Sequence, residues 1–229
     1  MKNLKIIIKK GSVLRSLIYN FKYLPLRQAV YLPLIIFKNV EIKGKGKIEI
    51  LNFRKGIKIY IGGETLNWLD TNKEYTRIYI EKDGVTQFGK DVFLGCGTKI
   101  EIASKAKLVL EENNVFTGKT TIICKNCISF GKNNLISWEN LFMDSDGHSI
   151  EYEENRNQLG EIKVKDNVWI GCRCTIKKNT IIGSNNVVAS NTVLSRKYEN
   201  QNTIIAGNPA KIVKEGVIWK LNQPLKKKT

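Results

Sequence analysis

The 229-residue chain contains a single histidine, His148, in the run Asp144-Ser145-Asp146-Gly147-His148. Imidazole titrates near neutrality, so it can take a proton from an alcohol and return one to a leaving group. A neighbouring carboxylate can hold such a base by accepting from its other ring nitrogen. Asp146 and Asp144 are nearest in sequence, with Glu151, Glu153 and Glu154 as weaker candidates. Both aspartates suit turn chemistry equally well, binding backbone amides. Trp169 follows 21 residues after His148, and Ser137-Trp138 precede it. An indole N–H is a donor only, suited to an acceptor or developing oxyanion. The five cysteines include Cys124 and Cys127 at metal-ligand spacing. No second pair and no nearby histidine completes four ligands, so no metal is expected. An odd cysteine count fits reduced thiols.

The histidine stands near the start of residues 144–161, DSDGHSIEYEENRNQLGE, a polar stretch too long for a tight turn. Long loops leaving a rigid scaffold commonly carry function. The scaffold is legible on both sides. Val164, Ile170, Ile176, Ile182, Val188 and Leu194 recur every sixth residue. Neither the 3.6-residue helix nor the two-residue strand repeat gives that period. Six residues make one short strand and a turn, and three such units close a triangular coil with the aliphatic series on its axis. The spacing predicts a parallel β-helix. Earlier series run on shifted frames: Phe88, Leu94, Ile100, Ala106; then Leu110, Phe116, Ile122, Ile128; then Phe130, Ile136, Phe142. Each shift predicts a local irregularity. Asn113-Asn114 and Asn133-Asn134 are expected at corners, where asparagine tolerates a left-handed backbone.

Four regions follow: a helical or extended cap at 1–39, irregular early coils at 40–84, the main β-helix at 85–195 with its insertion at 144–161, and a C-terminal extension at 196–229. Ser12 can cap a helix over 12–23. Its apolar face, Val13, Leu14, Leu17, Ile18 and Phe21, can close the open end of the coil or lie on a membrane surface. Capping is the preferred role. Residues 63–76 lack the repeat and read as a loop. Residues 211–221 read as a short terminal helix, followed by a disordered basic tail at Lys226–Lys228.

Lysine and arginine exceed aspartate and glutamate by 17, which favours anionic partners. No nucleic-acid motif or spaced aromatic platform accompanies the charge, so nucleic acid is not expected. No apolar run approaches the eighteen or more residues of a membrane span. Ile6–Ile8 are followed at once by Lys9 and Lys10, too short a run for a secretory signal. A cytoplasmic protein is expected, with the anionic inner membrane face as a second setting.

The run WIGCRCTIKKNTIIGSNNVVASNTVL with IIAGNPAKIVK resembles the C-terminal signature of the hexapeptide-repeat acyltransferases. The run ISWENLFMDSDGHSI resembles the branch that O-acetylates bacterial capsule or lipopolysaccharide. The resemblance covers residues 85–215 well and 1–84 loosely. Lys178-Asn179 and Ser195-Arg196-Lys197 depart from the common pattern. The resemblance implies an all-β, left-handed parallel β-helix and a homotrimer with acetyl-CoA between neighbouring coils. It implies His148 as catalytic base, with Asp146 and Trp169 in the catalytic set and Ser137, Trp138 and Asp144 toward the acceptor. For CoA it implies Cys172 and Ser190 beside the pantetheine arm. Ser195, Arg196, Lys211 and Lys214 then stand near the nucleotide, and no metal is needed. The implied acceptor is an anionic glycan or its precursor. An amino-sugar N-acetyltransferase and a non-catalytic β-helix scaffold stay open as alternatives.

Overall fold

A computed structural model describes residues 4, 6–8, 11–70, 72–148 and 158–221. Glu151, Glu153, Glu154 and Lys226–Lys228 lie outside the described residues. The chain is a parallel β-helix of three sheets. The first sheet takes β1 (Leu34–Ile36), β4 (Ile59–Gly63), β7 (Phe93–Gly95), β10 (Val115–Phe116), β13 (Leu135–Ile136), β16 (Trp169–Ile170), β19 (Val187–Val188) and β22 (Ile204–Gly207), ending on the antiparallel β23 (Ala210–Lys214). The second takes β2 (Val40–Gly44), β5 (Thr76–Ile80), β8 (Lys99–Ile102), β11 (Thr121–Cys124), β14 (Leu141–Met143), β17 (Thr175–Lys177) and β20 (Val193–Leu194). The third takes β3 (Lys47–Ile50), β6 (Val85–Phe88), β9 (Lys107–Leu110), β12 (Cys127–Phe130), β15 (Glu161–Val164), β18 (Thr180–Ile182) and β21 (Lys197–Tyr198).

The axis is filled as the hexad predicts. Val164, Ile170, Ile176, Ile182, Val188 and Leu194 are all buried, and so are the earlier frames from Phe88 to Phe142. The frame shifts have a simple cause. Ile170 pairs with Val188, eighteen residues on, which is three units of six. Phe116 pairs with Ile136, twenty on, and Leu94 reaches Phe116 after twenty-two. The extra residues lengthen strands such as β9 and β12, each of which sends two side chains inward. Phe116, Phe130 and Phe142 fill this wider section with edge-to-face contacts at 5.1 and 5.0 Å.

Asparagine organises the corners. Asn113, Asn133, Asn167, Asn185 and Asn202 hold φ between 55° and 59° or just above at 61°. Inner asparagines tie coil to coil: Asn134 accepts from Val168 N at 2.7 Å, and Asn186 from Thr203 N at 2.8 Å. The corner after the first sheet is called the first corner below. The second follows the second sheet, and the third follows the third.

Helix α1 (Val13–Tyr23) is capped by Ser12, whose Oγ accepts from Arg15 N. It covers the free edge of β1, as expected, but with the opposite face. Ser16 and Asn20 are fully buried, whereas Leu14, Ile18 and Phe21 are 68%, 50% and 50% exposed. The reason is the edge itself. A bare strand edge offers amide and carbonyl groups, which need polar partners. Asn20 accepts from Leu34 N and donates to Leu34 O at 3.1 and 2.8 Å. Ser16 accepts from Ile36 N at 3.0 Å, and Tyr19 accepts from Ile42 N at 3.1 Å. Tyr23 donates toward Ile42 O at 3.3 Å. The inward stripe is therefore Ser16, Tyr19, Asn20 and Tyr23, at i, i+3, i+4 and i+7. A short helix α2 (Leu26–Ala29) follows.

The expected terminal helix over 211–221 is not formed. Ala210–Lys214 is strand β23, folded back on β22 through Asn208-Pro209, because the last coil would otherwise end on an unpaired edge.

Candidate active site

Residues 144–161 leave the end of β14 at the second corner and return into β15. The described ends of this insertion form a stem. Ser145 bridges Leu159 in antiparallel sense, Asp146 N donates to Gln158 O, and Gly160 N donates to Asp144 O at 3.0 Å. Asp144 is wholly buried, and its carboxylate accepts from Lys125 N at 2.7 Å and Asn126 N at 2.9 Å. This is the backbone-binding role rather than acceptor contact: the residue fastens the stem to the preceding coil. Asp146 pairs with Lys178 at 2.5 Å. Gly147 turns the chain with φ of 76°, and His148 is exposed beyond it.

A second group stands on the first sheet and first corner. Trp169 opens β16 and is 39% exposed. Its indole Nε1 donates to Ser137 Oγ across one coil at 3.3 Å. Trp138 meets Trp68 edge-on at 5.8 Å. Trp68 arrives on residues 64–75, whose described residues form no strand, as expected, and which are anchored at this corner. Thr65 donates to Thr117 O at 2.6 Å, and Leu69 fills the space beside Gly118. A Cβ at Gly118 would sit 2.5 Å from Leu69 Cδ1, and its φ is 154°. Trp219, from the C-terminal segment, packs on Trp169 at 6.2 Å and donates to Asn167 O at 2.7 Å. All four tryptophans of the chain thus border one surface. The sequence singled out Trp138 and Trp169 only. A tryptophan inside the repeat-free stretch 63–76 was the signal for Trp68.

Along the same corner Cys172 and Ser190 stack on successive coils, Sγ to Oγ at 3.4 Å. Gly171 lets those coils approach, since a Cβ there would lie 2.7 Å from Ser190 N and Oγ. Cys174 is buried beneath, and burial pushes its thiol up to about 11, so it stays protonated. Glu139 and Arg173 pair at 2.8 Å across the corner. Ser195 and Arg196 are exposed at the second corner of the last coil. Arg196 Nη2 donates to Ala210 O at 3.0 Å, and its guanidinium lies 5.5 Å from the Tyr198 ring. Lys211 and Lys214 are exposed on β23.

The predicted residues therefore separate. Ser137, Trp138, Trp169, Cys172 and Ser190 share the first sheet and its corner. His148, Asp146 and Asp144 belong to the second corner.

Residues 161–196 match the family model described as bacterial transferase hexapeptide (six repeats). This is the section in which coils have their strict eighteen-residue length. The chain is 29% identical over 190 residues to an uncharacterized 24.8 kDa protein in the cps region of Klebsiella pneumoniae, covering 81% of this chain and 83% of that one. It is 26% identical over 148 residues to WbbJ of Escherichia coli (strain K12), named for lipopolysaccharide biosynthesis O-acetyl transfer, covering 60% and 75%. Its fold is similar to that of the crystal structure of the polySia specific acetyltransferase NeuO. The TM-score is 0.60 at 18% identity, over 80% of this chain and 90% of that one.

Proposed function

We propose that this chain, a left-handed β-helix protein of the hexapeptide-repeat acetyltransferase family, is an acetyl-CoA-dependent O-acetyltransferase of a bacterial surface glycan or its precursor. The observation that carries this reading is His148. It is the chain's one imidazole, exposed on a stem that Asp144 fastens to the coil. An alcohol is a poor nucleophile near neutral pH and needs such a base. The naming of WbbJ and the cps-region protein supports a capsule or lipopolysaccharide acceptor. The positive excess of 17 suits an acceptor carrying carboxylates or phosphates.

The first corner fits CoA. Cys172 and Ser190 are small where coils approach across Gly171, which suits contact with a thin pantetheine arm. Lys211 and Lys214 on β23 supply exposed cations at the end of the same sheet for phosphates, and Arg196 reaches that strand through Ala210 O. The bound thioester supplies an acyl group already activated for attack. His148 takes the acceptor hydroxyl proton as the oxygen forms the new ester bond, then returns that proton to the departing thiolate. Asp146, held by Lys178, helps fix the stem two residues before the imidazole. The Trp169 indole, on exchanging Ser137 Oγ for the substrate, is the donor we assign to the developing oxyanion, a contribution typically worth about 3 kcal/mol.

Because the imidazole and the indole stand at different corners, the working site joins the second corner of one chain to the first corner of another. A homotrimer supplies that pairing three times. The test is thiol release from acetyl-CoA with a panel of purified bacterial glycans, followed by mass spectrometry before and after mild alkali. An added acetyl group that alkali removes is the expected result. An alkali-stable amide, or no transfer to any glycan, contradicts the reading.

A further inference from the structure

We infer that the N-terminal end of the β-helix docks on an anionic phospholipid surface through the outward face of α1 and α2. The first observation is the inversion of α1. Its polar residues Ser16, Tyr19, Asn20 and Tyr23 are committed to strand edges, which leaves the apolar side facing solvent. Leu14, Leu17, Ile18 and Phe21 are 39–68% exposed, and Leu26 and Val30 continue the face at 68% and 54%. Of the eighteen exposed large hydrophobics among the described residues, ten lie between Leu4 and Tyr31. An eleven-residue helix that presents leucine, isoleucine and phenylalanine outward fits an in-plane position at the headgroup boundary. No helix of the described residues is long and apolar enough to cross a bilayer.

The second observation is charge. Residues 1–58 contain fourteen lysines and arginines against two glutamates, an excess of twelve out of the chain's seventeen. Several of these cations lie on or beside the same two helices. Lys22 lies over the Tyr23 ring at 4.9 Å, Arg27 is exposed on α2, and Lys55 lies 5.7 Å from the Tyr31 ring. Cations flanking an exposed apolar strip match an anionic leaflet in both of its layers, since each basic residue near such a surface adds attraction. They oppose a second copy of the chain as occupant, because the same cations would then face one another. Docked this way, the coil axis carries the later coils, and with them His148, away from the surface.

The experiment is flotation of the full-length protein with vesicles of phosphatidylcholine alone and of equimolar phosphatidylcholine and phosphatidylglycerol. The wild type is expected on the anionic vesicles and not on the neutral ones. The triple variant Leu14→Ser, Ile18→Ser, Phe21→Ser should lose at least ~10-fold in anionic-vesicle binding. Its melting temperature, its mass by sedimentation and its thiol release with a soluble acceptor should stay unchanged, since these residues touch neither core nor site. The proposal is overturned if the wild type ignores anionic vesicles, or if the variant binds them as well as the wild type. It is equally overturned if the variant changes oligomeric mass, which would mean that another copy covers the face. None of these readouts depends on acetyl transfer, so the acetyltransferase reading and this one can fail separately.

Discussion

Replacing Asn20 by leucine separates the observed orientation of α1 from the one its sequence suggests. The position is fully buried, so intuition favours an apolar residue there. The structure argues the reverse. Asn20 holds Leu34 N at 3.1 Å and Leu34 O at 2.8 Å, and it also donates to Ser16 O at 2.7 Å. Leucine leaves the buried Leu34 amide and carbonyl without this partner, and each unsatisfied group costs roughly 1–3 kcal/mol. The carbonyl is the more tolerant of the two. A loss of about 2–4 kcal/mol is expected, or on the order of 10 °C in Tm for a chain of this size. The control is Ile18→Ser on the outward face, which should stay within about 0.5 kcal/mol of the parent. Urea unfolding followed by circular dichroism measures both changes. If Asn20→Leu is neutral while Ile18→Ser is strongly destabilising, the helix packs with its other face inward and the docking surface disappears with it.

Ile176 is wholly buried on the axis, in register between Phe142 and Leu194. Ile176→Asp places an unpaired charge in a dry stack and should give insoluble or unfolded protein, read from the soluble fraction and circular dichroism. Reversing two of Arg196, Lys211 and Lys214 to glutamate should raise KM for acetyl-CoA more than it lowers kcat, the pattern of lost uniform binding. An unchanged KM across salt concentrations would remove these residues from the donor site. Refolding a mixture of His148→Ala and Trp169→Ala chains, each inactive alone, should recover part of the wild-type turnover, because mixed assemblies contain junctions with both side chains intact. No recovery would mean that the imidazole and the indole serve one chain after all.

The coil was legible because its signal is redundant. Six aliphatics at one spacing describe the axis, and asparagines describe the corners. The frame shifts at Leu110 and Phe130 are visible, but their cause needs the register: a coil of twenty residues carries one extra inward side chain and a coil of twenty-two carries two. The sequence suggests the opposite face of the cap. Val13, Leu14, Leu17, Ile18 and Phe21 form a face that looks like a core stripe. The stripe that binds the strand edge is Ser16, Tyr19, Asn20 and Tyr23, and its meaning appears only once an unpaired edge is known to lie beneath it. The sequence of β23 suggests a helix for a related reason, since only the open edge of β22 selects the strand. In the site, residue types were legible but grouping was not. The 21 residues from His148 to Trp169 resemble one coil. Most of that distance is the insertion, so the two side chains belong to different corners.

The most direct test of the account is the kcat of purified His148→Ala on the acceptor that the glycan panel identifies. General-base assistance contributes about a hundred- to ten-thousand-fold, so kcat should fall by that factor. Folding, oligomeric mass and acetyl-CoA affinity should stay as in the wild type, because His148 is exposed and acts on the acceptor hydroxyl rather than holding the donor. Near-wild-type turnover by folded His148→Ala would contradict the account, for the chain holds no second histidine to take the proton.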